Sequence, residues 1–327
     1  MKNEDLRDVV EAATFAPSVY NTQPWRFFVR GDAVDVFADR TRALPVIDPA
    51  GRELHISCGA ALACACVAVR GKEREYTVTL LPDPSDTDHL ARIDIGGGEP
   101  STAEDRSLAR ALAVRHTHRE PFDERRVPDW TVEDLRRAAD SEGVWVRVVA
   151  DPEELVTTAV LLSHADQLQR TDPAYLRELA AWTSTGSGAP DGIPPAAIPA
   201  TPPAERGSSL RLRDFDAATA GADVPPTLGP PPPAEHPLVL ILGTDGDDPR
   251  SWLQAGQALG RLLLRAAVEG IAASPITQVL EVPTFRVRLT RELGLLGYPQ
   301  MMLRLGYGHS HPVTPRRAVA DVLTEAP

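Results

Sequence analysis

The chain has 327 residues, 43% of them apolar, enough for two domains or one doubled domain with an ample core. Asp and Glu (46) outnumber Lys and Arg (34), giving a net charge of −12 and a pI near 5.2. So acidic a chain is repelled by phosphate-rich partners, which argues against nucleic acid and anionic membrane and leaves local arginine clusters as possible sites for a small anion.

The chain opens polar and charged, and Asn3 or Asp5 caps a predicted helix carrying Leu6, Val9, Val10 and Ala13 at helical spacing. A loop follows, Ala16-Pro17-Ser18-Val19-Tyr20-Asn21-Thr22-Gln23-Pro24, whose bracketing prolines stop both neighbouring elements. Ser18, Asn21, Thr22 and Gln23 are short polar side chains suited to a planar, heteroatom-rich ligand; the plainer alternative is an ordinary helix-to-strand turn anchored by Trp25. Trp25 to Val29 and Val34 to Ala38, joined at Gly31-Asp32, read as a hairpin. A helix from His55 to Val69, ended by Gly71, is so rich in Ala, Gly and Cys that it must pack closely against another helix or a sheet. Its Cys58, Cys64 and Cys66 read as small core residues. Their odd number, with no secretory signal, points to reduced thiols in the cytoplasm. No apolar stretch is expected to reach the roughly 18 residues of a membrane span, so no segment is expected to cross a membrane.

Strands are expected at Tyr76 to Leu81 and His89 to Ile95, then a helix starting at Ser101 or Thr102 with Glu104 in reach for a capping box. Arg115-His116-Thr117-His118-Arg119 comes next, either a solvated charged turn or an anion site. A helix capped by Thr131 leads to a strand at Val144 to Val149, and helices follow at Glu153 to Leu168 and Pro173 to Trp182. Residues 186–237 hold 13 of the 31 prolines, so they form a linker or a lid over a site. Leu210-Arg211-Leu212-Arg213-Asp214-Phe215, with its anchoring side chains, favours the lid. Leu238 to Leu242 is a fully apolar strand, and Asp248-Pro249 starts a helix that runs to Gly270. Ala273 to Gln278 reads as a second polar loop, and Met301 to Leu305 as a strand. His116, His118 and His309-Ser310-His311 are too few and too poor in carboxylate partners to predict a metal.

The halves repeat. Asp5-Leu6-Arg7 with Trp25 to Val29 resembles Asp134-Leu135-Arg136 with Trp145 to Val149. Gly59-Ala60-Ala61-Leu62 likewise resembles Gly256-Gln257-Ala258-Leu259. The offset grows from 129 positions (Leu6 to Leu135) to 197 (Gly59 to Gly256), so the extra residues fall in the interval holding the proline-rich segment. The first copy keeps the polar loop and the second keeps the arginines, as a pseudo-dimer with one complete interfacial site requires.

With these motifs in hand, Ala16 to Phe27, Arg115 to Phe122, the Gly256 helix, Ser274-Pro275 and Pro299-Gln300 before Leu303-Arg304-Leu305-Gly306-Tyr307 together resemble the FMN-dependent nitroreductase superfamily. The doubled length, Asp48 to Glu53 and Arg316-Arg317 are similar to its fused, Acg-type subgroup. The resemblance implies an α+β nitroreductase-like sandwich in two tandem copies forming an intrachain pseudo-dimer, a truncated half at 1–100 and a second at 101–327. It implies FMN as cofactor and NAD(P)H as possible reductant. Arg115, His116, Thr117, Arg316 and Arg317 would surround the phosphate, with Arg119 near the flavin N1 and O2 edge. Pro17, Ser18, Asn21 and Gln23 would come from the opposite half, and Pro275, Ile276 and Thr277 would line the ring; Arg304 could point away. The flavin carries the chemistry, so no catalytic side chain and no metal is expected. The partner is a small nitro, quinone or similar acceptor, and the protein is a monomer or weak homo-oligomer. The alternative is an FMN-storage protein whose lid keeps nicotinamide out.

Overall fold

The computed structural model describes residues 3–183, 188–198, 210, 213, 215, 235–308 and 314–325. Two sheets flank a central pair of helices. The first sheet runs β3-β4-β2-β1-β9, from β1 (Trp25–Arg30), β2 (Ala33–Ala38), β3 (Arg74–Leu80), β4 (His89–Gly98) and β9 (Leu323–Glu325). The second runs β5-β6-β8-β7, from β5 (Trp145–Val149), β6 (Leu238–Thr244), β7 (Ala272–Pro275) and β8 (Tyr298–Gly306). The fold is α+β.

Local chemistry accounts for most elements. Helix α1 (Asn3–Thr14) buries Leu6, Val9, Val10 and Ala13 along one stripe. The β1–β2 hairpin closes at Gly31, whose φ of +60° suits a glycine. Strand β6 is apolar throughout because both its faces are covered: Leu240 and Leu242 join one core, Val239 and Ile241 another. Helix α3 (Ala103–Ala111) does start with a capping box at Thr102, but Asp105, not Glu104, is its acidic partner. Helix α4 (Asp129–Asp140) has Pro128 as its N-cap, three residues before the expected cap, so Thr131 lies inside the helix and is buried. The 273–278 loop is instead the strand β7 followed by the short helix α8 (Gln278–Glu281). Asp151 caps α5 (Pro152–Arg170), and α6 (Pro173–Thr183) follows.

The central helices are α2 (Arg52–Gly71) and α7 (Pro249–Val268). Contrary to the expectation from sequence, α2 is long and apolar enough to cross a membrane; it is a buried core helix here. Small residues let the two backbones touch. A Cβ on Gly59 would lie 2.3 Å from the Leu253 carbonyl oxygen, and one on Gly256 would lie 2.1 Å from that of Ile56. These contacts are reciprocal, and each member of one pair lies 197 positions from its counterpart (59 to 256, 56 to 253). His55 and Trp252, related by the same offset, face each other with ring centroids 5.5 Å apart.

Two later elements return to the first sheet. Leu108, Ala111 and Leu112, on and just after α3, pack into the core of the first sheet. The C-terminal β9 pairs in parallel with β1, Phe27 opposite Leu323, after the short α10 (Val319–Val322). The tail is thereby drawn past the 16–24 loop.

Candidate functional site

Backbone conformation marks the 16–24 loop as unusual. Tyr20, Asn21 and Gln23 have φ of 50°, 56° and 50°, the left-handed region that non-glycine residues avoid. Such a loop persists only where long-range bonds hold it. Ser18 Oγ accepts from Gln23 N (3.0 Å), and Asn21 Nδ2 donates to the carbonyls of Gly192 (3.0 Å) and Pro315 (3.1 Å). Gln23 Nε2 donates to Pro190 O (2.8 Å), while its Oε1 accepts from Arg317 N (2.9 Å). Gln23 is wholly buried. Its Gln23→Ala variant is therefore expected to lose about 2 kcal/mol of stability in urea unfolding, because two part-buried hydrogen bonds from a buried side chain are lost.

Beside the loop lies a cavity of about 860 Å³ including its mouth. Pro17 and Ser18 supply one wall and Glu53, Ile56 and Ser57 of α2 another. Opposite them stand Thr117 and Arg119, with Pro275, Ile276 and Thr277 leading out of β7. Thr117 reaches this position because it bridges to Ala273 of β7, while His118 N donates to Ala273 O (2.8 Å). Alternation along the run sends His118 away, onto Phe122 in a stack at 4.8 Å. Arg115 and His116 line a second recess that shares Thr117.

The electrostatics are lopsided. Arg115 is buried and Arg119 and Arg316 are half-buried, close enough to repel one another, and none is paired with a carboxylate among the described residues. Arg115 Nη2 and Arg316 Nη2 both donate to Phe15 O, at 2.8 and 3.3 Å, and Arg316 Nη1 also donates to Thr314 Oγ1 (2.8 Å). The Nε of all three arginines is buried without a partner. Burial first, and then the neighbouring guanidinium charges, pull Arg119 down to about 10 and Arg316 down to about 9; burial also lowers Arg115. Three cations gathered this closely and partly desolvated favour a compensating anion. His116 is likewise pushed down, by burial and then by Arg115 and Arg316, and its Nδ1 is buried without a partner.

Three described residues of the proline-rich segment also reach the cavity: Ile193, Arg213 and Phe215. Ile193 packs with Tyr20, Tyr175 and Leu179 in a small core of its own. Arg213 pairs with Glu281 of α8 at 2.5 Å and donates to the hydroxyls of Tyr20 (2.6 Å) and Tyr175 (3.0 Å). Thr277 and Gln169 also donate to Glu281, each at 2.7 Å. Burial alone would raise the Glu281 carboxyl, but Arg213 and these donors hold it below the usual value. Phe215 lies under the Arg119 guanidinium, 5.5 Å from ring centroid to Cζ. The remainder of 186–237, and His309 to His311, lie outside the described residues. Among the described residues no group of three His, Cys, Asp or Glu is placed to hold a metal.

Placement thus divides the expected site residues. Pro17, Ser18, Thr117, Arg119, Pro275, Ile276 and Thr277 meet at the cavity. Arg115, His116 and Arg316 form the cationic cluster beside it. Asn21, Gln23 and Arg317 do not line the cavity. They tie the loop to the 188–198 segment and the C-terminal tail, and Arg317 also sits 3.7 Å from Asp39. Arg304 is fully buried on β8 against Glu235 (2.8 Å), outside the cavity. Sequence reasoning gave no site role to Tyr20 in the polar loop, to Glu53 at the end of the Asp48 to Glu53 motif, or to Glu281, which had no local signal; Arg213 was noticed only as an anchor.

The model of the nitroreductase family matches residues 1–58 and 112–307. The chain belongs to that family. A Mycobacterium tuberculosis H37Rv protein provisionally named an NAD(P)H nitroreductase is 34% identical over 98% of this chain and 91% of its own length. Another from the same strain, bearing that name with the designation Acg, is 31% identical over 97% and 94%. A third, uncharacterised, is 33% identical over 97% and 92%. Among solved structures, a nitroreductase from Desulfitobacterium hafniense with bound FMN aligns at a TM-score of 0.41 and 14% identity, over 68% of this chain and 98% of that chain.

Proposed function

We propose that this chain is an FMN-binding oxidoreductase passing electrons from NAD(P)H to a nitro compound, quinone or similar small acceptor. The observation that carries the reading is the trio Arg115, Arg119 and Arg316, gathered beside a cavity with their Nε atoms buried and no carboxylate partner among the described residues. FMN fits such a site because its phosphate is the missing anion. Arg115 and Arg316 would hold that phosphate through charge-assisted bonds, with Thr117 beside them. Arg119 would face the pyrimidine edge of the ring, where a cation favours the reduced, anionic form. Pro17 and Ser18 from one half and Pro275 to Thr277 from the other would enclose the ring and exclude water. When bound, FMN supplies hydride transfer. The names of the mycobacterial relatives support NAD(P)H as the reductant.

The reciprocal Gly59 and Gly256 contacts support two tandem copies related by a pseudo-two-fold axis, with the boundary near residue 100 and one site per chain. A monomer follows from that arrangement, since the second wall of the site is already in the chain. The three cysteines are buried and free, which supports a reducing, cytoplasmic setting.

A second reading, flavin storage, is favoured by Ile193, Arg213 and Phe215, which occupy the wall where a nicotinamide would approach. NADPH decides between the two. Bleaching of the yellow protein within seconds is the expected result for a reductase, whereas bleaching by dithionite alone supports storage. If Arg213 latches the segment over the cavity, Arg213→Ala is expected to speed NADPH bleaching at least about tenfold, because breaking a buried ion pair costs about 3–5 kcal/mol of local stability. An unchanged rate would remove the latch from the account.

A further inference from the structure

Glu53 sits in the first turn of α2 and lines the cavity, yet the motifs assign it nothing. It is 1% exposed. Its two oxygens differ. Oε1 is bound by Arg52 Nη2, and Arg52 is itself held by the Gln300 backbone and side chain. Oε2 is buried and has no hydrogen-bond partner. Arg52 therefore orients the carboxyl, and the free oxygen is left to whatever enters the cavity. A buried ionised oxygen with no donor is costly, so this group either carries a proton or takes one from a ligand.

The charged groups around it act in both directions. Burial raises Glu53 most, Arg52 from the same helix opposes it, and Glu281 of α8 and Asp48 from the loop before α2 add to the rise. Arg213 opposes weakly, and the group is pushed up to about 7. An acid in that range is populated in both forms near neutral pH. Glu281, the other carboxyl lining the cavity, is committed to Arg213 and held low.

We infer that Glu53 is the proton donor of the cavity for a reducible ligand whose oxygen becomes anionic on reduction, a quinone or nitro compound. The inference rests on the flavin reading above, which supplies the electrons as hydride. With a quinone, hydride addition leaves one ring oxygen negative. The Oε2–H bond of Glu53 breaks, an O–H bond forms on that oxygen, and the hydroquinone departs. The carboxylate left behind is balanced by Arg52 and recovers its proton from water at the cavity mouth.

The test uses the full chain loaded with FMN, reduced by dithionite and mixed with benzoquinone in a stopped-flow cell between about pH 5.5 and 9. For the parent, reoxidation is expected to slow as pH rises through about 7. Glu53→Gln is expected to be slower by at least about 100-fold at pH 6 and to show no break. Glu53→Asp, which keeps an acid, should retain a break with an intermediate rate, and it serves if the glutamine variant does not fold. Infrared spectra of flavin-free protein give a reading independent of turnover. A protonated carboxyl band should fade between about pH 6 and 8 in the parent and be missing from Glu53→Gln. Yellow parent and variant with equal reoxidation rates and profiles would overturn the role of Glu53 and leave the flavin reading intact, as would the lack of a titrating band. A folded parent that takes up no FMN would overturn the flavin reading and this role with it.

Discussion

Arg115→Ala is expected to purify without yellow colour and to bind added FMN about 30- to 100-fold more weakly than the parent. One charge-assisted hydrogen bond to a phosphate contributes about 2–3 kcal/mol, and each 1.4 kcal/mol is a factor of ten. The measurement is quenching of FMN fluorescence on titration with flavin-free protein. Riboflavin, which lacks the phosphate, supplies the control, since its affinity should not change between parent and variant. A second consequence separates a binding role from a structural one. Arg115 is buried with no carboxylate partner among the described residues, so removing its charge relieves repulsion with Arg316 and Arg119 in the flavin-free protein. The variant should accordingly unfold at the same denaturant concentration as the flavin-free parent, or a higher one. Its hydrogen bond to Phe15 O is shared with Arg316, which limits the loss. Undiminished FMN affinity would remove the phosphate from this site.

Gly256→Ala is expected to be strongly destabilising. The added Cβ would lie 2.1 Å from Ile56 O, 2.8 Å from Gly59 Cα and 2.9 Å from Ala60 N, all backbone atoms of α2. No side-chain rotation relieves such contacts, so the two central helices must move apart and open their packed seam. A cost of about 4 kcal/mol lowers the melting temperature by roughly 6 °C in a chain of this size. Gly260→Ala should cost less, since its nearest neighbour is the Ala63 side chain at 2.8 Å. Gly270→Ala calibrates the series, with φ +68° and nothing within 4 Å. Only the strain of the backbone remains there, about 1 kcal/mol. Thermal unfolding of the three variants should rank them in that order. A Gly256→Ala protein as stable as Gly270→Ala would refute the close crossing. Because Glu53, Ile56 and Leu259 line the cavity from these helices, loss of flavin should accompany loss of stability.

Acid-base behaviour adds a sign to the stability of the flavin-free protein. Glu53 is raised in the folded state, so the protein gives up stability as pH climbs from the ordinary carboxyl range through about 7, where the folded form must ionise. The window is set by burial, since Arg52 alone would have moved it the other way.

Much of this protein is determined by short-range pattern. Apolar residues three and four apart make α1 whatever surrounds it, and Gly31 closes the first hairpin because only a glycine takes φ +60° there without strain. The run of small residues in α2 and α7 required a close helix contact, and the repeat at Gly59 and Gly256 named the residues that make it. The arginine run and the proline-bracketed loop likewise announced two walls of one site, and Thr117, Arg119, Pro17 and Ser18 do meet there.

What only the tertiary structure decided is which polar residues were left over for a ligand. Asn21 and Gln23 looked as available as Ser18, but their amides are taken by carbonyls some 170 positions away along the chain. Arg317 looked equivalent to Arg316 until β9 paired with β1 and turned its backbone toward Gln23. Glu53 closed the Asp48 to Glu53 motif but was given no role, one acid in the first turn of an apolar helix. Its character comes from Arg52 holding one oxygen and burial isolating the other. Periodicity depends on neighbours a few residues apart, so a sequence displays it directly. Hydrogen-bond satisfaction and desolvation depend on partners brought in from anywhere in the chain, and they exist only once it has folded.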